Sequence, residues 1–202
     1  MGAKLAKNLI AYCGSAQAVF DESRSSLQKI PGIGAGAARS LADQSPLHRA
    51  ERELRFIEKN HIQPLFYLDE NYPERLKLCE DGPVNLYFRG NVDLNQRHAI
   101  AMVGTRNATS YGLDFCEWFI KEMKVFNPLV VSGLAYGIDV QCHKKALENG
   151  IPTVGVLGHG LDRIYPQLHT NIAREMEENG GLITEFYRKP NPIVRTSPSE
   201  TA

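Results

Sequence analysis

The sequence predicts an α/β fold: a small all-helical segment followed by a parallel sheet covered by helices on both faces. Three observations carry this. From residue 99 onward, short continuous apolar runs alternate with helical periodicity in the order β-α-β-α-β-α-β. Each of the first three runs is followed by a glycine-rich polar loop, as at the carboxyl ends of strands in open α/β sheets. Residues 1–60 show only the three-and-four spacing of amphipathic helices.

The elements follow in order. Leu5, Leu9, Tyr12 and Cys13 fall on one helical face; Gly14 ends that helix and Ser15 can cap the next. Gly2 to Ile10 resembles Gly34 to Ala42 at an offset of 32, with Lys7 facing Arg39, which suggests a duplicated helical hairpin. Ser45-Pro46 starts another helix, with Leu47, Ala50, Leu54 and Ile57 expected inward and Asn60 closing it. Residues 61–95 read as a connecting segment. It holds strands at Pro64 to Tyr67 and Val84 to Phe88, with a turn or short helix at Tyr72 to Leu76. Residues 96–187 carry the sheet. Ala99 to Val103 is expected as a buried strand. A helix follows over 111–125 with Phe115, Trp118, Phe119 and Met123 inward. Leu129 to Val131 is a strand, 138–149 a helix and Thr153 to Leu157 a strand. A helix over 168–179 lines up Leu168, Ile172 and Met176, and Leu182 to Thr184 is the last strand. Residues 188–202, with three prolines and no periodicity, read as an unstructured tail.

Composition limits what this fold can do. Apolar residues make up 43% of the 202, ample for a core, and net charge is zero. That excludes holding DNA by bulk charge, as a histone-like protein does. The balance is uneven, however: residues 1–60 hold 9 basic and 6 acidic side chains, an excess of +3. No apolar run is long enough for a membrane span, and the N-terminus reads as an amphipathic helix, not a signal peptide. Cys13, Cys79, Cys116 and Cys142 form no C-x-x-C, so reduced cytoplasmic thiols are expected, with neither zinc nor disulfides.

The loops carry the chemistry. Pro31-Gly32-Ile33-Gly34 before a small-residue helix is a helix-hairpin-helix signature. Its glycines permit a tight turn whose N–H groups can hold a phosphate, with Arg39 on the flank; the alternative is a hairpin used only for packing. The loop Gly104 to Gly112 supplies Arg106, a fixed cation suited to a bidentate phosphate contact. The loop Ser132 to Asp139 and the loop Gly158 to Pro166 add glycines that let backbone approach a phosphate. Asp139 reads either as a helix cap or as a catalytic carboxylate, and Glu185 as a loop hydrogen-bond partner or a general base. Tyr136 and Tyr165 either stack on bases or pack. His143, His159 and His169 lack metal-ligand spacing and read as surface or loop residues, and Cys142 beside His143 points another way on a helix. Neither G-x-G-x-x-G nor G-x-x-x-x-G-K-[ST] occurs, so dinucleotide oxidoreductases and ATPases lack support.

Ile100 to Gly112, Val130 to His143 and Val154 to Pro166 together resemble the DNA-processing protein A (Smf) family. Gly181 to Glu185 and the lead-in from Tyr72-Pro73 through Pro83 to Gly90 fit too, so the resemblance covers residues 2–187. It implies a Rossmann-like domain behind a helix-hairpin-helix (SAM-like) domain, with no cofactor, metal or catalytic step. It further implies binding of single-stranded DNA during natural transformation and recombination, and loading of RecA recombinase. The family's motifs place nucleic-acid contacts on Gly104, Thr105 and Arg106, on Ser132, Gly133, Leu134, Gly137 and Asp139, and on Gly158, Gly160 and Tyr165. Gln167 stands where some members carry a basic residue. The family's further F-P-x-R-N-R-I-I stretch is not found, so a C-terminally truncated sheet is expected. The surfaces members use for RecA and for homodimerisation fall largely in that part. Two rivals remain. A lysine-decarboxylase-like phosphoribohydrolase would need P-G-G-x-G-T-x-x-E, which is absent; a non-functional fragment would expose an apolar sheet edge.

Overall fold

A computed structural model describes residues 2–41 and 45–188, without the side chains of residues 45–47 and 49. The expected inward Leu47 and the tail from residue 189 lie outside the described residues. The chain opens with α1 (Ala3–Cys13), α2 (Ala16–Asp21), α3 (Arg24–Leu27), α4 (Ala35–Leu41) and α5 (Ser45–Lys59). Gly14 adopts the left-handed conformation (φ 89°) that ends α1, and the Ser15 side chain accepts from the Ala18 N–H to cap α2. Leu9, Ile10, Val19, Leu27, Ile30, Ile33 and Ala38 form one apolar cluster across α1–α4. Tyr12, expected inward, is 64% exposed: Leu5, Leu9, Ile10 and Cys13 take the packed side of α1. On α5, Ala50 and Leu54 face solvent as well, because the helix turns Phe56 and Ile57 toward the sheet.

The sheet comprises β1 (Gln63–Phe66), β2 (Asn85–Gly90), β3 (Ala99–Ala101), β4 (Leu129–Ser132), β5 (Thr153–Val156) and β6 (Gly180–Thr184), in the order β1-β2-β6-β5-β4-β3. β3 to β6 run parallel, while β2 joins β6 and β1 joins β2 antiparallel. A short α6 (Glu74–Lys77) precedes β2. The crossovers are α7 (Ser110–Met123), α8 (Ile138–Glu148) and α9 (Thr170–Glu178), with 3₁₀ turns at Lys124–Phe126 and Gln167–His169.

These helices do not cover both faces. Side chains alternate along a strand, so Val130, Thr153, Gly155 and Leu182 share one face. Against that face pack Cys116 and Ile120 of α7, Cys142 and Ala146 of α8, and Ile172, Ala173 and Met176 of α9. The reason is topological: β3, β4, β5 and β6 are laid down side by side in one direction, and right-handed crossovers then place every helix on the same side. On the other face, Tyr72, Leu76, Val92 and Leu94 cover Leu129, Val154 and Ile183. Beyond them lies an apolar groove that includes Ala101, Val131, Val156 and Phe186.

Three further expectations are corrected. β3 is an edge strand in the described structure, with Ala99 and Ala101 exposed and Ile100 half-buried. On α7 the packed stripe is Cys116 and Ile120, so Phe115 and Trp118 (56% exposed) face outward and cluster with Phe119 at centroid distances of 5.7–6.5 Å. Leu168, 80% exposed, falls in the 3₁₀ turn before α9, where the three-and-four spacing does not hold.

Candidate functional site

The carboxyl ends of β3, β4 and β5 converge, as parallel topology requires. A pocket of about 360 Å³ opens there. Arg106 comes to it from the loop after β3, Gly133 to Tyr136 and Asp139 from the loop into α8, and Gly158, His159, Tyr165 and Pro166 from the loop after β5. Arg106 is exposed and makes no ion pair among the described residues. Tyr136 and Tyr165 are 46% and 71% exposed at its rim.

Backbone amides add to the polar side chains of the lining. No hydrogen bond among the described residues uses the N–H groups of the lining residues Leu134, Ala135 and Tyr136, nor those of Gly158 and His159. Unpartnered amides in consecutive loop residues form a concavity of positive potential suited to an anion. The glycines make the close approach possible. A Cβ on Gly133 would stand 2.5 Å from Asp139 Oδ2. Gly137 has φ 76° and a Cβ there would sit 2.2 Å from the Thr105 carbonyl oxygen.

Of the residues on which the family's motifs place nucleic-acid contacts, Arg106, Gly133, Leu134, Asp139, Gly158 and Tyr165 line this pocket, and so do Tyr136 and His159. The others stand behind it. Gly104 lies under Ile138, and the Thr105 carbonyl accepts from the Ile138 N–H at 3.2 Å, which ties the first loop to the start of α8. The Ser132 hydroxyl, buried, donates to the Met102 carbonyl at 2.5 Å and links β4 to the end of β3. Gly160 packs against Asp162 and the backbone of Tyr187 and Arg188. The Leu134 side chain belongs to the apolar core, so this residue offers the pocket its backbone. Gly32 (φ 85°), Gly34 and the exposed Arg39 sit in the α1–α4 part.

Asp139 does not cap α8 with a hydrogen bond; the N-cap position is Gly137. Its carboxylate lies in the helix's first turn, where it meets the positive end of the helix dipole itself. An anion in the pocket is therefore left to Arg106 and the loop amides. Cys116 and Cys142 are buried with their sulfurs 3.8 Å apart, and burial raises both thiol pKa values, which keeps them protonated and unreactive. Among the described residues no three His, Cys, Asp or Glu side chains are grouped to hold a metal. No described helix is long and apolar enough to cross a membrane.

Two histidines belong to the site's support, not to its surface. His143 is fully buried, with Nε2 2.6 Å from the Gly133 carbonyl and Nδ1 2.7 Å from the Thr153 hydroxyl. Burial lowers its pKa to about 4, so the ring is neutral near pH 7. His169, 5% exposed, donates from Nδ1 to the Leu134 carbonyl at 2.9 Å, and its ring meets that of Tyr136 edge-on at 5.1 Å. Spacing carried a signal for His143: it lies three residues from both Val140 and Ala146, which are buried on α8.

The DNA recombination-mediator protein A family matches residues 63–199. The DNA processing protein DprA of Streptococcus pneumoniae is 36% identical over 127 residues, which are 62% of this chain and 44% of that protein. Protein Smf of Escherichia coli is 32% identical over 165 residues, 75% of this chain and again 44% of the relative. The chain thus spans less than half the length of these curated relatives. Among solved structures, DNA processing protein A of S. pneumoniae superposes with a TM-score of 0.78 at 25% identity, over 95% of this chain and 65% of that one. DNA processing protein A of Helicobacter pylori, described for its single-stranded DNA binding mode, gives a TM-score of 0.56 at 28% identity, over 66% of this chain and 59% of that one.

Proposed function

The chain belongs to the DNA recombination-mediator protein A family, and from that premise we propose that it binds single-stranded DNA through the pocket at the ends of β3, β4 and β5. One observation supports this most: three loops far apart in sequence bring Arg106, two runs of unpartnered N–H groups and two exposed tyrosines to one opening. Phosphate oxygens suit the amides and the guanidinium. Unpaired bases suit the tyrosine rings. A local constellation of this kind answers the difficulty posed by zero net charge, because affinity comes from a few placed donors.

The role extends to DNA processing in natural transformation and recombination, carried out in the cytoplasm and without a catalytic step. Loading of RecA and homodimerisation are activities of the full-length form in this reading. The helix-hairpin-helix with Gly32, Gly34 and Arg39 adds a secondary backbone contact. Gly104, Thr105, Ser132, Gly137 and Gly160 serve binding by shaping the loops.

Fluorescence anisotropy with labelled oligothymidylate and a duplex of equal length, across a salt series, tests the reading. Single strands are expected to bind more tightly than duplex. Arg106→Ala is expected to weaken binding by about tenfold and to reduce the salt slope by about 0.7, one phosphate contact on a single strand. An Arg106→Ala protein with unchanged affinity and slope removes the pocket from consideration.

A further inference from the structure

We propose that His143 and His169 are positioning residues that aim the Leu134 and Ala135 amides into the pocket; this rests on the binding reading above. A peptide unit is planar and trans, so its C=O and N–H point in opposite directions. Fixing the Gly133 carbonyl therefore fixes the Leu134 N–H, and fixing the Leu134 carbonyl fixes the Ala135 N–H. His143 Nε2 holds the first carbonyl at 2.6 Å and His169 Nδ1 holds the second at 2.9 Å. Both rings lie in the core, so both amides are directed away from it. Leu134 and Ala135 line the pocket, and neither N–H has another partner among the described residues.

A carbonyl only accepts, so neutral His143 carries its hydrogen on Nε2. The single hydrogen of the Thr153 hydroxyl is shared between two acceptors, His143 Nδ1 at 2.7 Å and the Val130 carbonyl at 3.0 Å. Thr153 is on β5, His143 on α8 and His169 at the entry to α9, so three separate elements set one loop. His169 also braces Tyr136 edge-on, which fixes a ring at the rim. Neither histidine lines the pocket. They act through the backbone they hold.

The test uses amide geometry. In asparagine the side-chain N–H stands close to where histidine carries Nδ1–H, so His169→Asn keeps the bond to Leu134, whereas His169→Leu removes it. Oligothymidylate binding by anisotropy is expected to stay within about threefold of wild type for His169→Asn and to fall at least about tenfold for His169→Leu, the cost of a misdirected donor. The salt slope is expected to stay unchanged in both, since no charged contact is lost. Backbone ¹⁵N–¹H resonances of Leu134 and Ala135 are expected to move downfield when oligothymidylate is added to the wild type. His169→Leu binding as wild type does, His169→Asn failing as badly as the leucine variant, or wild-type resonances that stay put while DNA binds would each overturn the positioning role. That last measurement decides the matter even if His169→Leu does not fold. Absence of binding by the wild type itself would instead overturn the binding reading.

Discussion

Replacing His143 with glutamine removes a buried imidazole whose protonation the fold opposes, while keeping an N–H donor near the Gly133 carbonyl. In the folded chain the ring titrates at about 4; in the unfolded chain it returns to its ordinary value of 6.5. Burial is the main cause, and His169 pushes the same way; the Gly133 hydrogen bond and Asp139 act in opposition. Above pH 6.5 both states are neutral and the full stability is present. As pH falls below 6.5 the unfolded chain takes up a proton that the folded chain refuses. Stability then drops by about 1.4 kcal/mol per pH unit, roughly 3 kcal/mol in all, and the loss is complete near pH 4. Urea unfolding of wild type and His143→Gln at about pH 7.5, 6 and 5 reads this out, because carboxylates common to both cancel in the difference. The wild type is expected to lose stability relative to the variant as pH falls. A difference that stays constant across this window refutes the assignment of a buried, neutral His143.

Other predictions concern the loops and the helical part. Gly137→Ala places a methyl group 2.2 Å from the Thr105 carbonyl oxygen at a left-handed φ of 76°. It is expected to cost at least about 2 kcal/mol by thermal or urea unfolding. Gly133→Ala meets only the end of the Asp139 side chain, which can rotate away. It is expected to leave the melting temperature within about 3 °C while weakening oligothymidylate binding. Leu27→Ala, 1% exposed at the centre of the α1–α4 cluster, is expected to cost about 2–5 kcal/mol in the same unfolding assay.

The sequence was most informative where chain order alone decides the structure. The alternation after residue 99 placed four parallel strands and their loops, and the loops meet because parallel strands end on one side. Continuous apolar runs read as doubly covered strands, yet such runs do not distinguish a central strand from β3 at the edge. On α7 aromatic bulk suggests the inner face, but the α7 residues that share a core cluster with Cys142 and Ala146 of α8 are Cys116 and Ile120. In the sequence His143 and His169 read as surface or loop residues, because polar side chains are usually outside. Their burial depends on carbonyl partners that only the folded loop supplies. Arg106, Gly133 and Gly158 were recognisable from loop composition; the support beneath them was not.

The packing of α5 has a consequence for synthesis. Ile57 shares its core cluster with Leu161, Ile172, Ala173, Met176 and Leu182. A ribosome emits this chain from the N-terminus, so α5 emerges long before its partners exist. Ile172 follows Ile57 by about 115 residues, which at 5–20 residues per second is a wait of roughly 6–23 s. The α1–α4 cluster can close early from its own residues. Ile57 and Phe56, by contrast, have the full set of their core partners only once α9 and β6 are made, so this helix waits longest for its packing.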